Sequence, residues 1–435
     1  MADTHHASPT GPACRRRADS LFRDLLLPDE TRAIREEARR FAEEVVQPIA
    51  HQLNTTPERR DGFPRPVFDA MARAGLYSIP YAADVGGRGL AYPTLATLTV
   101  LEELAYYSPG LASALYDGQA ILSGKTLDGA QAALRSHYLP KLVRGELVCA
   151  FATSEPNTST DLSAGAMETV ATPVDGGYRI RGCKRWITNS VAADLILVLC
   201  RLDDRLTMFL VDMQADGVRV GDPDLKMGNH AQLTADVHFD DVFVPADHVV
   251  GQLGGGLRVA LGALMQGRMG IGAIGVAMAQ RAFDFATGYM EQRKVFGQAL
   301  ARFQHWQFRF ADHAIGIENA RNLYQKAAVL YDRSGQADAE AAMTKVVGSE
   351  LAMDVVRDAI QVCGAYGFVR ELKGTGASYP LESIYRDAKI GEIYEGANEV
   401  QRWVMTWCGN AQVIKPAELA QSVREAAQRI LKTNT

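Results

Sequence analysis

The chain is predicted to be α+β and mostly α, with an N-terminal helical domain, a central antiparallel β domain and a C-terminal four-helix bundle. Three observations predict this. Apolar residues recur at helical spacing from Glu30 to about Val143. Short β-branched or alternating runs, bounded by Gly- and Asp-containing turns, replace them from Leu147 to about Val250. From Gly256 the helical period returns and dominates to the C-terminus. That order bounds the fold class. It sets expected boundaries at 1–26 for a disordered arm, 27–146 for the first domain, 147–251 for the second and 252–435 for the third.

Within the first domain, Thr31–Val46 sets apolar residues against a face of Arg35, Glu36, Arg39, Arg40 and Glu43. Val67–Ala74 follows Pro64 and Pro66, and Tyr92–Ala105 and Gly129–Val143 are the further candidate helices. The turn signal Asp84–Gly89 separates two of them. The expected strands are Tyr178–Arg181, Arg185–Thr188, Leu195–Leu199, Thr207–Val211, Val218–Val220 and Val237–Phe239. Asp175–Gly177 and Ala215–Gly217 bound them as hairpin turns. The third domain holds a very long helix, Leu257–Arg293, then Gln304–Asp332 and Ala337–Val362.

The long helix carries Gly267, Gly270, Gly272 and Gly275 among small side chains. Each Gly costs about 1 kcal/mol relative to Ala inside an isolated helix, so that density implies close approach by another backbone or a ligand. Gly270–Gly275 also matches the GxGxxG pattern of a dinucleotide loop. That loop needs a preceding strand and a helix starting at the last glycines. Ala260–Met269 is itself helical in pattern, so the glycines are expected to pack one helix against another.

Composition excludes several function classes. With 46 basic against 51 acidic residues, no electrostatic surplus points to nucleic acid. Uninterrupted apolar runs such as Leu195–Cys200 fall short of the roughly 18–20 residues of a membrane-spanning helix. The six cysteines are scattered without a CxxC pair, and the histidines lack ligand spacing, so neither a disulfide framework nor a metal site is expected. The arm to about Ser20 lacks the apolar region of a secretory signal. Despite Arg15–Arg17, a bacterial cytoplasmic protein is the simpler reading than one imported into the mitochondrial matrix.

Some residues carry chemistry unaided. Trp186 and Thr188, two apart on a strand, place an aromatic body and a hydroxyl on one face, which suits a flat heteroaromatic ring with a hydrogen-bonding edge. Arg293–Gly297 reads as a helix terminus with Gly as its stop, where a guanidinium can grip a phosphate. Glu395, in Tyr-Glu-Gly, can act as a general base if it is held in a dry site that raises its pKa. Gly396 beside it would allow a close backbone approach.

Three stretches occur in order and in register: Ala150–Asp161 with Tyr178–Asn189; Glu291–Gly297 with Phe303–Gln304; and Gln361–Gly367 with Tyr385–Arg402. Together they resemble the signatures of the flavin-dependent acyl-CoA dehydrogenase family, over about Leu27 to Cys408. The resemblance implies FAD and the dehydrogenation of an acyl thioester, acyl-CoA or carrier-bound, to its trans-2-enoyl product. It implies Glu395 as the α-proton base, with hydride passing to flavin N5 and an electron-transferring flavoprotein as acceptor. It places Ser154, Trp186, Thr188, Arg293, Phe296, Gln304, Gln361, Gly364 and Glu399 at FAD. Thr160, Arg268 and Gly396 are placed at substrate. Because the FAD site is shared between chains in that family, a homotetramer or homodimer is implied.

Several positions depart from the family pattern. Ser154 stands for Thr, Ser159–Asp161 for Gly-Ser-Asp, and Ala397 for a flavin-side Thr. Met265 stands for an Asp that helps position the CoA arm in some members, and His230 and Gln232 stand for Arg and Ser. Lys373–Ser378 is an insertion. A minority of the family carries its base at the position of Gly267, which cannot serve here. These changes imply a specialised or carrier-bound acyl group. The alternatives are a flavin oxidase or monooxygenase on the same fold, or a catalytically silent scaffold.

Overall fold

The computed structural model describes Arg16, Asp24 and residues 26–408. His5, His6, Cys14 and most of the expected N-terminal arm lie outside the described residues.

The first helix, α1 (Asp29–Phe41), follows Pro28, and its charges suit the helix dipole: Asp29 and Glu30 in the first turn, Arg39 and Arg40 in the last. It buries Ile34, Ala38 and Phe41 and continues into a π-helical turn, Ala42–Val46. Next come α2 (Ala50–Thr55), α3 (Arg65–Arg73) and α4 (Pro93–Ala105). Every residue of α4 from Thr94 to Ala105 is buried, so it is the central helix of this region. Helices α5 (Pro109–Leu115) and α6 (Leu122–Asp128) flank a second π-helical turn, Tyr116–Ala120, before α7 (Ala132–Val143). The periodicity of the sequence did not mark α5 or α6, because both are short and nearly all their residues are buried.

Eight strands form the central sheet: β1 (Cys149–Ala152), β2 (Val170–Val174), β3 (Gly177–Thr188), β4 (Leu195–Leu202), β5 (Arg205–Asp212), β6 (Val218–Val220), β7 (Thr234–Pro245) and β8 (Val249–Val250). They run in the order β6-β7-β3-β2-β4-β5-β8, with β1 beside β4. Most pairs are antiparallel, as expected, but β1 and β2 each pair with β4 in parallel. A tight hairpin joins only antiparallel neighbours, and the long loop after β1 returns the chain to β2 instead. The two runs Tyr178–Arg181 and Arg185–Thr188 belong to the single strand β3, whose register on β7 shifts twice, after Ile180 and after Lys184.

Three long helices follow: α8 (Gly256–Gln292), α9 (Gln304–Ser334) and α10 (Asp338–Cys363). The short helices α11 (Ala365–Phe368), α12 (Leu381–Lys389) and α13 (Asn398–Cys408) pack around them. Among the described residues α8 is the one helix long and apolar enough to cross a membrane, and it is mostly buried inside the fold. Two of its glycines, Gly272 and Gly275, pack against α10. A Cβ at Gly272 would stand 2.1 Å from Thr344 Cγ2, and one at Gly275 2.4 Å from the Gly348 carbonyl oxygen. The GxGxxG match is therefore a helix crossing.

Gly297 is not the stop of α8, contrary to expectation. The helix ends at Gln292, and a hairpin of β9 (Lys294–Val295) and β10 (Gln298–Ala299) follows. Phe296 and Gly297 form its two-residue tip with φ of +50° and +80°, the backbone of a type I′ turn. Lys373–Ser378, expected as an insertion, is part of a hairpin, β11 (Glu371–Leu372) with β12 (Ala377–Ser378).

Candidate active site

Glu395 sits on a turn that precedes α13, and its backbone is strained. Glu395 and Gly396 have φ of +57° and +86°, the left-handed region that costs a non-Gly residue about 1–2 kcal/mol. Two side chains pin the turn. Arg268 Nε donates to the Glu395 carbonyl at 3.3 Å, and Gln401 Nε2 donates to the Glu395 and Gly396 carbonyls at 3.2 and 3.0 Å. Arg268, expected at the substrate, thus holds the Glu395 backbone. Gly396 answers to the same packing: a Cβ there would come within 2.6 Å of Gln401 Nε2.

The Glu395 carboxyl points inward. Its Oε2 is buried without a hydrogen-bond partner, and Oε1 has the Tyr116 hydroxyl at 3.5 Å. Burial, followed by the charge of Asp117, pushes its pKa up to about 8 against the opposing pull of Arg268 and Lys345. Lys345, buried on α10, donates to Asn398 Oδ1 at 2.6 Å, and burial brings it down to about 8. Asn398 is held in turn by Ser349 Oγ at 3.0 Å and Glu350 at 3.1 Å, so the first turn of α13 is fixed beside Glu395.

The second wall is the end of β3. Trp186 has φ of +57° at the second register shift, and its ring is 52% exposed, stacked near the Arg185 guanidinium at 5.3 Å. The shift re-aims the indole out of the sheet while Ile187 stays in the core. Thr188 Oγ1 accepts from Gln232 Nε2 at 3.1 Å. Below this wall Lys184 and Glu155, both fully buried, pair at 2.8 Å. Glu155 also accepts from the Glu168 and Thr169 N–H groups at 2.6 and 2.9 Å, so the loop bearing Ser154 is tied to β3 through Lys184 and to the start of β2. Thr160 lies on the exposed outer part of that loop.

The remaining residues expected at FAD lie elsewhere on this chain's surface. Arg293, Phe296, Gln304, Gln361, Gly364 and Glu399 are all exposed, Phe296 at 96%. FAD fits this donor set in two parts: an open indole face with a hydroxyl beside it for the ring, and a guanidinium, an aromatic side chain and an amide for the phosphate and adenine end.

The sequence did not disclose Asp117, Tyr116, Tyr394 or Lys345 as members of the site. Asp117 and Tyr116 sit in the π-helical turn, a local irregularity that recurs at functional sites. A lone Asp in an apolar run is the one signal that pointed there. Cys149, Cys183, Cys200 and Cys363 are free thiols. Cys183, Asp236 and His238 come within 4.8 Å of one another, but Asp236 is paired with Arg185 at 2.7 Å.

Three family profiles match in succession: the N-terminal domain of acyl-CoA dehydrogenase at residues 28–146, its middle domain at 150–242 and its C-terminal domain at 254–406. A profile described as WCX domain also matches 394–431, a stretch that runs out of the described residues. The mitochondrial short-chain specific acyl-CoA dehydrogenase of Mus musculus is 33% identical over 395 residues, which covers 90% of this chain and 92% of that protein. The solved structure of butyryl-CoA dehydrogenase from Megasphaera elsdenii superimposes with a TM-score of 0.81 at 32% identity, covering 88% of this chain and 99% of that one. The structure of PigA with FAD and proline has a TM-score of 0.80 at 26% identity and covers 88% and 98%.

Proposed function

The chain belongs to the acyl-CoA dehydrogenase family, and from that premise we propose that Glu395 is the base of an FAD-dependent α,β-dehydrogenation of an acyl thioester. One observation carries this reading: a buried carboxyl with an unpartnered oxygen, its pKa near 8, on a turn fixed by Arg268 and Gln401. A solvated glutamate would be too weak a base, whereas one held near working pH can accept a proton from carbon next to a thioester carbonyl.

In the proposed step Glu395 Oε2 takes the α-proton, and the electron pair of that C–H bond becomes the new double bond as the β-hydrogen departs with its own pair. When bound, FAD supplies the hydride acceptor. The backbone N–H of Glu395 would donate to the thioester oxygen, where developing negative charge gains most from a fixed donor. Trp186 and Thr188 would hold the flavin ring. Tyr116, buried, and Tyr394, partly buried, pack edge to face at 6.5 Å and keep the base side dry.

Arg293, Phe296, Gln304 and Gln361 are exposed on this chain, which supports a cofactor site completed by a second copy in a homodimer or homotetramer. An electron-transferring flavoprotein is the proposed acceptor. Short acyl-CoA thioesters are the first substrates to try, and Met265, buried where the resemblance implies an Asp, keeps carrier-bound acyl groups in the panel. The test is Glu395→Gln. The variant should retain bound FAD and lose anaerobic bleaching of the flavin by butyryl-CoA; bleaching at the wild-type rate overturns the assignment.

A further inference from the structure

Glu395 has a second buried carboxyl for company. Asp117 lies in the π-helical turn Tyr116–Ala120 and is 6% exposed. Its Oδ2 accepts from Gln232 Nε2 at 2.7 Å, and the same amide nitrogen reaches Thr188 Oγ1 at 3.1 Å. The orientation of that amide is fixed from behind. Gln232 Oε1 accepts from Asn229 Nδ2 at 3.2 Å, and the Asn229 N–H donates to buried Asp387 at 2.6 Å. With its oxygen occupied there, Gln232 must turn its NH2 group to Asp117 and Thr188 together.

The groups facing Asp117 can be named element by element. Thr188 comes from β3 and Gln232 from the loop before β7. Tyr116 comes from its own turn, and Tyr394 and Glu395 from the segment before α13. The cations Arg268 and Lys345 act on Glu395. The hydrogen bonds that steady Asp117 come from neutral groups, Thr188, Gln232 and Tyr116. A carboxylate held only by neutral donors keeps an unneutralised charge in a dry site, and a like charge nearby disfavours ionisation of its neighbour.

We propose that Asp117 is a positioning residue for the dehydrogenation. Through Gln232 it fixes the Thr188 hydroxyl on the flavin side, and its charge acts on Glu395 across Tyr116, so that the two sides of the site are electrostatically linked. The charge of Asp117 adds to burial in offsetting Arg268 and Lys345, which favour the ionised form of Glu395. In agreement, burial pushes Asp117 up to about 6, below Glu395, so at neutral pH the charge resides mainly on Asp117.

The base half of the proposal rests on Glu395 being the base; the flavin half does not. The experiment uses FAD-loaded Asp117→Asn, whose amide oxygen still accepts from Gln232. Two quantities are read: the pH midpoint of anaerobic bleaching by butyryl-CoA, and the midpoint potential of bound flavin in a dye-linked titration without substrate. The midpoint should fall by about one pH unit and the potential should rise, because a negative charge beside the reduced cofactor has been removed. Asp117→Glu, which keeps the charge, should return both toward wild type. An unchanged midpoint together with an unchanged potential overturns the proposal. If Asp117→Asn does not hold FAD, Gln232→Leu is read by the flavin absorbance spectrum: a shift supports the link to Thr188, and a wild-type spectrum overturns it. Failure of the base assignment is separately visible as bleaching retained in Glu395→Gln.

Discussion

Gly267 on α8 and the Glu395 carboxyl occupy adjoining volume: a Cβ at 267 would stand 2.8 Å from Glu395 Oε2 and 3.0 Å from Leu122 Cδ2. The glycine does more than fail to be a base. Its missing side chain is the space into which the base oxygen projects. Gly267→Ala must therefore push the carboxyl off its position or force Leu122 aside. Displacement of a reacting group by about 1 Å costs on the order of 10²-fold in rate. Stopped-flow bleaching should fall by about that factor while bound FAD and the thermal midpoint stay near wild type. A rate within twofold of wild type would show that the carboxyl does not work from this position.

The raised pKa of Glu395 has a consequence for stability as well as rate. Its folded pKa of about 8 lies above the ordinary carboxyl value of 4.5, first because of burial and then because of Asp117. Between those values the native state holds a proton that the unfolded chain releases, so stability falls as pH rises from about 5 to 8. Catalysis runs the other way, because the base acts when ionised: kcat/KM should rise through about pH 8. Glu395→Gln removes the titration. Its thermal midpoint should exceed wild type at pH 8.5 and converge with it at pH 4.5, measured by calorimetry across that range.

Lys345 opposes Asp117. Buried on α10 at 2.6 Å from Asn398 Oδ1, it favours the ionised form of Glu395. Lys345→Met, similar in length and uncharged, should move the kcat/KM midpoint to higher pH, opposite to Asp117→Asn. The check is the pH profile of both variants on one substrate; a downward shift in Lys345→Met would contradict the electrostatic assignment.

How much of this was legible in the sequence depends on whether the signal was periodic or positional. Helices α1, α4, α8, α9 and α10 repeat an apolar face, or a run of small residues, over many turns, and their spans follow the pattern closely. Glu395 and Trp186 sit in motifs whose order along the chain carries information. What was not legible depends on single exceptions to a period. Nothing in Ala114–Ala120 marks a π-helical turn, because every residue there is buried and none breaks the apolar pattern except Asp117 and Gln119. The shift after Lys184 was not read from the sequence: burial passes from Lys184 to Ile187, three residues on, while the backbone at Trp186 between them turns left-handed. Arg268, which the resemblance places at substrate, lies beside Glu395 and donates to its backbone carbonyl, a contact no sequence pattern announces.

The last prediction concerns what holds the base-bearing bundle against the N-terminal helices. Glu102 on α4 receives Arg35 from α1 at 2.8 Å, Arg321 from α9 at 3.0 Å, and the Tyr324 hydroxyl, and all four side chains are buried. Arg321 extends the network to Gln280 on α8 at 3.0 Å, and Gln280 passes it to Asp284 at 2.9 Å. One carboxylate thus joins three helices directly and a fourth through Arg321. Burial alone would raise the Glu102 pKa, but Arg321 and Arg35 overcome it and hold it at about 2. A depressed folded pKa contributes stability that is present above the ordinary value of about 4.5 and is lost as pH falls toward 2. Glu102→Gln leaves two buried guanidinium groups facing a neutral amide. Removing one partner of a buried ion pair costs about 3–5 kcal/mol. Urea unfolding at pH 7 should show a loss of that order, shrinking as the buffer is taken from pH 4.5 toward 2. Equal stability of the variant at pH 7 would mean that the helices are held by apolar packing alone, with the charge network contributing nothing.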